Sequence, residues 1–537
     1  MSLLDDVSIV VTPNGYKAGE LYAVIPVPTE GAEEVTNGGF ATDTDWTKGT
    51  GWTISGGSAN SDGANSFSSL SQASVLTIGK RYKLIVDINL TSGQLRIQEG
   101  GAILETYTTT GANTATYYFI ATATNITFKT SVTPFNGSID NVSVKEYTAA
   151  DMDVTRETAA TRVDENGLIE DVLSNVPRID YSGCPHILAE PQRTNNIQYS
   201  EDFTQSYWRK DKVTVTANSI ISLSGQLDTS LIQETVYTGG IPSFDLLSSI
   251  TLGTGSHTFT FYVKNNNGRY LGISFGSNAQ RVRTNFDFTT NTFKTLIFNG
   301  TTTGSASFTT LGDYYRISIT ATFPSSTVAD TVLMPLATDT YPFYSFQDSD
   351  NRSFYLWGAQ LEVGSYGTSY IPTSGSTVTR NQDLFTRDGI GSLINSTEGV
   401  LFLEIAALSN DSTRRAITLS DGTTSNRVML RYQNSSNAVQ CFINVAGALY
   451  SNLNENSYTI TDFLKIAFKW KAGDFALWIN GTEVAVSSDA TSFGVGVLTE
   501  LQFNEGDGAG SEYFGKVKQL QVYKTALTDV QLAALTT

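Results

Sequence analysis

Histidine and cysteine are nearly missing from this chain. Its 537 residues include only His186, His257, Cys184 and Cys441 of those two types. Zinc sites and histidine-based triads need more than that supply. The cysteines fall in different expected units and make no disulfide framework. Positive charge is also short, with 34 Lys and Arg against 52 Asp and Glu and a net charge of −18. Such a surface repels a polyanion, so nucleic acid is excluded as a partner, and the negative charge reads as a solubility device. No apolar run approaches the roughly 18 residues of a membrane helix, which excludes membrane insertion by that route. The start, MSLLDD, is acidic, and the run Val7 to Val11 is too short for a signal peptide, so synthesis in a cytoplasm is expected. Coiled-coil heptads, a shaft repeat and a coil-length β-helix period are absent too.

What is present is the texture of exposed all-β proteins. Hydrophobic residues make up 40% and aromatics 11%, enough for packed cores, while charged residues reach only 16%. Ser, Thr, Asn and Gly fill the difference, as they do on pleated surfaces and turns. The length allows three or four domains of roughly 100–200 residues. We expect three β-sandwich (jelly-roll) domains in tandem, with an N-terminal anchoring hairpin and a short C-terminal helix. Residues 1–33 carry the hairpin, with strands Val7 to Val11 and Leu21 to Ile25 about a Pro13-Asn14-Gly15 turn. Residues 34–148 form the first sandwich, opening on Asn37-Gly38-Gly39-Phe40 with Trp46 and closing on Ile139 to Val144. Residues 149–196 are an extended connector whose Arg156, Arg162, Arg178 and Arg193 act as clamps. Residues 197–380 repeat the first plan: Ser200 to Phe203 with Trp208 echoes the opening, and Tyr355 to Glu362 echoes the close. Residues 381–537 form the third sandwich. It has strands Gly399 to Ile405, Leu464 to Trp470, Phe475 to Ile479 and Val517 to Tyr523. Thr528 and Gln531 make a capping box opening a helix from Asp529 to Leu535.

No enzyme is expected. The chain lacks HExxH and GxxxxGK[ST]. The one GxSxG, Gly272 to Gly276, is followed by no helix pattern, and no histidine lies beyond His257. Carboxylates meeting from distant loops would be needed for a glycan hydrolase. Binding sites are sought among aromatics, since sugars stack their apolar faces on rings. Trp46 and Trp52 sit in Gly- and Thr-rich loops at the rim of the first sandwich and are ligand-binding candidates, with a core position as the alternative for each. Trp478 alternates out of phase with Phe475, Leu477 and Ile479 and faces away from that core, which makes it a third candidate.

Three resemblances follow from motifs. The ordered run Ala160-Thr161-Arg162-Val163, Asn166 to Glu170, Asn175 to Arg178 and Glu190 to Asn195, continuing to Phe203, resembles fibre and appendage proteins of tailed bacteriophages. It implies a structural virion protein exposed on the particle surface, a head fibre or a tail fibre. The lack of heptads and shaft repeat leans to the head. It further implies attachment to other virion proteins through residues 1–33 and a homotrimer; a host-glycan adhesin of the tail is the alternative. The "NGGF…W" opening and "IDNVSV" close are similar to carbohydrate-binding jelly-roll modules. In those a carboxylate after the opening Phe and an Asp in the close share a structural calcium. Asp140 matches the second position. Ala41 stands at the first, and Asp43 is the loop carboxylate that could replace it. The ending GKVKQLQVYKTALTDVQLAAL resembles laminin-G-like, concanavalin-A-like sandwiches, and with them implies a cell-surface glycan as partner.

Overall fold

The computed structural model describes residues 7–13, 29–78, 80–148, 152–235, 243–246, 250–336 and 351–537. Two compact units emerge, Pro26–Asp151 on one side and Met1–Ile25 with Met152–Thr537 on the other. Apart from the short C-terminal helix Asp529–Thr536 and one 3-10 turn, the regular elements of the described residues are strands. The all-β expectation holds.

The unit Pro26–Asp151 stacks a six-stranded sheet on a five-stranded one, counting described residues. The six-stranded sheet runs Gly111–Ile120, Arg81–Ser92, Asn136–Thr148, Ser58–Asp62, Trp52–Ser55, with Thr29–Glu33 also on Asn136–Thr148. Period-two alternation builds it: Tyr82, Leu84, Val86, Ile88 and Leu90 are buried in the core. The intervening Lys83, Asp87 and Asn89 leave by the other face.

The second sandwich repeats this plan in detail. The Trp46 indole donates to the Asn37 carbonyl at 3.1 Å, and the Trp208 indole donates to the Tyr199 carbonyl at 3.0 Å. Phe40 packs on Trp46 at 5.3 Å between centroids, and Phe203 on Trp208 at 5.2 Å. The Val142 amide donates to the Gly38 carbonyl at 3.0 Å, matched by Ala359 to Ser200 at 2.9 Å. Both closing strands bulge just there, at residues with positive φ: Asn141 (50°) and Gly358 (62°). Gly358 has a second reason, since a Cβ there would lie 2.7 Å from the Tyr262 ring. The internal repeat read from the two motif pairs is therefore a repeat of hydrogen bonds.

The third sandwich pairs an eight-stranded and a seven-stranded sheet, again among described residues. Its eight-stranded sheet includes Val7–Val11, antiparallel to the last strand Gly515–Tyr523. This corrects the anchoring hairpin for that strand: it pairs within its own chain, and Ile9 and Val11 are fully buried. The expected partner strand Leu21 to Ile25 lies outside the described residues. Val7, Val10, Trp478 and Tyr523 share an apolar cluster with Leu527 and Leu532 at the helix end of the chain. The helix is capped as expected, Thr528 and Gln531 each closing on the other. Deleting residues 1–11 should therefore lower the unfolding midpoint of the larger unit, because an apolar strand and its edge pairing are lost. Unchanged denaturant unfolding of the truncated chain would reject that assignment.

Residues 152–196 add strands to what surrounds them. Asp153–Thr155 joins the seven-stranded sheet, and His186–Ala189 pairs with Gly515–Tyr523. Arg193–Asn195 pairs with Val378–Arg380. At their centre lies a charge cluster shut from water. Arg156 reaches Asp383 at 2.7 Å, Arg178 and Arg380 each reach Glu190 at 2.7 Å, and Arg178 also binds Asp383. All five side chains are at most 3% exposed by residue. Burial alone would raise the Glu190 carboxyl, but Arg380 and Arg178 outweigh it and hold it far below its ordinary 4.5. Stability from this group is complete above pH 4.5 and is lost as pH falls below that value. Of the expected clamps, Arg156 and Arg178 serve inside the cluster. Arg162 pairs with Glu170 nearer the surface, and Arg193 lies over the Tyr366 ring at 5.5 Å.

Candidate functional site: the open face of the N-proximal sandwich

The outward residues of three neighbouring strands in Pro26–Asp151 form a polar grid. Register sets Asp87 opposite Asp140 on one side and opposite Thr114 on the other. One step along, Asn89 lies between Ser138 and Ala112, and Ser138 faces Asn60. A trough of about 350 Å³ runs over Asp87, Asn89, Asn113, Thr114, Ser138 and Asp140. At the other end of the strands Tyr118 and Tyr147 meet edge to face at 4.8 Å. Lys83 there is tied to Glu30 at 2.5 Å.

Two carboxylates directly opposite each other on adjacent strands are an unfavourable pair by themselves. Donors offset this at Asp87: the Thr114 hydroxyl donates to it at 2.5 Å and the Asn141 amide at 2.8 Å. Those two hydrogen bonds, Thr114 first, hold its carboxyl below the ordinary 3.8. A trough edged by fixed carboxylate, amide and hydroxyl groups can accept and donate to the hydroxyls of a sugar.

The tryptophans singled out in the sequence lie elsewhere. Trp46 is 7% exposed and packs on Phe40 and Phe128, so its core alternative is the one realised. Trp52 is 4% exposed and stacks on Phe135 at 5.8 Å. Its flanking glycines mark a hairpin instead of a binding loop. Gly56 and Gly57 both have positive φ and join Trp52–Ser55 to Ser58–Asp62, as a two-residue turn of this hand requires. Trp478 does face away from its sandwich core, but the cluster it shares with Leu532 of the terminal helix leaves it 8% exposed. Each residue of the proposed calcium pair has a neighbour of its own. Asp43 is bound by Lys48, whereas Asp140 faces Asp87. Among the described residues, no group of three or more His, Cys, Asp or Glu could hold a metal ion. Ser274 of the GxSxG run is buried inside the strand Tyr270–Gly276.

No family model and no curated protein matches this chain. Solved structures do, at low identity and TM-score. The sialidase CBM40 of Ruminococcus gnavus, bound to α2,3-sialyllactose, is 17% identical, covering 26% of this chain and 83% of that one at a TM-score of 0.24. Galectin LEC-6 of Caenorhabditis elegans is 18% identical over 26% of this chain and 88% of its own, at 0.20. The CBM22 tandem of Paenibacillus barcinonensis Xyn10C is 9% identical over 62% and 98%, at 0.24. Likenesses at this level say nothing about what this chain binds.

Of the trough residues, only Asp140 stood out in the sequence. Asp87, Asn89, Thr114 and Ser138 carried one weak signal, polar residues at most outward positions of their strands. That signal does not tell which strands lie side by side.

Proposed function

We propose that this protein is an exposed appendage of a tailed-phage particle that holds a neutral glycan in the trough over Asp87, Asn89 and Ser138. The observation that carries the glycan reading is the facing pair Asp87 and Asp140, set on the outer sheet face among amide and hydroxyl groups. Carboxylates accept paired hydrogen bonds from vicinal hydroxyls, and their charge turns acidic sugars away. The phage assignment is supported by the ordered motifs from Ala160 to Phe203. With it go a place on the particle surface, a homotrimer, and action by binding rather than catalysis.

A neutral-glycan array screened with the full chain tests the reading. Asn89→Ala, at an exposed position, should weaken binding about tenfold with no change in thermal midpoint, since a hydrogen bond to ligand is lost and no core is touched. Failure of every neutral glycan to bind would end the proposal. The pH dependence has a definite sign. Asp87 is depressed below 3.8, so affinity should stay flat from neutral pH down to that value and fall only below it, as the carboxylate is protonated. An affinity that drops between pH 7 and 5 would implicate another group.

A further inference from the structure

The second sandwich presents the equivalent sheet face, and comparing the two faces residue by residue shows a different chemistry. Aligned through their matching bulges, Asp87, Asp140 and Thr114 correspond to Tyr262, Trp357 and Arg316. The aromatics draw a cover. Tyr370 packs on Trp357 at 4.6 Å and on Tyr262 at 6.0 Å. Its carbonyl accepts from the Thr161 hydroxyl at 2.6 Å, which ties the 160s segment across the face. The cover stops short of the outermost strands, and a cleft of about 380 Å³ remains.

Six residues define that cleft: Ser305 and Ser307 on the edge strand Thr303–Leu311, Arg316 on the next, Tyr366 above, Arg162 at one wall and Lys516 from the third sandwich. Ser305 and Ser307 are exposed and two apart, so their hydroxyls stand in one row. Arg316 donates to the Gly367 carbonyl at 3.1 Å and to that of Thr368, while its Nε is buried with no hydrogen-bond partner. Among the described residues neither Arg316 nor Lys516 is in an ion pair. The two carboxylates that reach the cleft are already engaged. Glu190 is held by Arg178 and Arg380, and Asp180 accepts from the Val163 amide at 2.9 Å and the Ser182 amide at 2.8 Å. The cleft thus offers two cations outside any ion pair beside a hydroxyl row and an aromatic ring, whereas the N-proximal face offers carboxylates.

We propose that this cleft is a second ligand site, for a saccharide bearing an anionic group, with Arg316 and Lys516 on the anion and Ser305 and Ser307 on neighbouring hydroxyls. The site goes beyond the neutral-glycan reading and does not depend on it. The full chain is titrated calorimetrically with trigalacturonate, with a sulfated disaccharide, and with neutral galactotriose. Either anionic probe should bind, more weakly as salt rises, and galactotriose should not displace it. Which anionic probe binds tells a carboxylate site from a sulfate site. Arg316→Met should weaken binding by roughly tenfold or more, as loss of a charged hydrogen bond does. Ser307→Trp fills the cleft from an exposed position and guards against misfolding of the first variant. It should abolish binding while the thermal midpoint holds. The proposal falls if both anionic probes fail to bind, or if either binds Ser307→Trp as tightly as the unmodified chain. A chain that binds neutral glycans but no anionic probe loses this inference alone; the opposite result removes the neutral-glycan reading alone.

Discussion

Asp383→Ala should destabilise the larger unit by about 3–5 kcal/mol, the usual result of removing one partner from a buried ion pair. Asp383 is the hub of the cluster. It accepts from Arg156 at 2.7 Å, from Arg178, and from the Glu190 backbone amide at 2.9 Å. Without it two guanidinium groups lose a counter-charge in a place water does not reach, and a buried amide loses its acceptor. Arg178 and Arg380 would then share Glu190 alone, and Arg156 would keep only backbone carbonyl partners. Urea unfolding of the full chain, followed through Trp208, Trp357, Trp470 and Trp478 of this unit, measures the change. Asp388→Ala is the control, since that residue is exposed and should shift stability by less than about 0.5 kcal/mol. A loss below about 1 kcal/mol for Asp383→Ala would mean that the sheets hold the strands of residues 152–196 without the cluster.

Trp52→Ala should cost the N-proximal unit about 3–5 kcal/mol, as truncation of a core Trp does. The ring stacks on Phe135 and belongs to the same buried cluster as Trp46, Ile54, Leu90 and Ile139. Its indole nitrogen is buried without a hydrogen-bond partner, so the side chain contributes through packing alone. Glycan affinity per folded molecule should be unchanged, because the ring lies on the inner face of the sheet and the trough on the outer. Thermal unfolding and glycan titration of this one variant decide the point. A stable variant that no longer binds would return Trp52 to the ligand.

Much of the architecture was legible in the sequence because it depends on neighbours along the chain. Leu464, Ile466, Phe468 and Trp470 alternate, and Leu464–Lys471 is a strand. Thr528 and Gln531 are three apart, and the helix starts there. The openings at Phe40 and Phe203 and the closes at Asn141 and Gly358 carry similar motifs, and the hydrogen bonds repeat with them. The site was less legible. Trp52 was misread as a loop residue because glycines flank it, and a Gly-Gly pair between alternating residues is equally the mark of a hairpin turn.

What the sequence determined by itself is local: the all-β texture, the strands with their inward and outward faces, the repeat and the capped helix. Each follows from spacing, which a chain carries in any conformation. Tertiary structure decided the rest. It set Asp87 beside Asp140, 53 positions on, through strand register. It paired Val7–Val11 with the last strand of the chain. It buried Trp478 in the cluster it shares with the terminal helix. It also left the N-proximal sheet face open while Tyr370 covers the equivalent aromatic face of the second sandwich. The reason is that side-chain alternation fixes only which face a residue occupies. What lies on that face, water or another segment, depends on pairings between residues far apart in sequence, and those are settled by the burial and charge compensation of the whole fold.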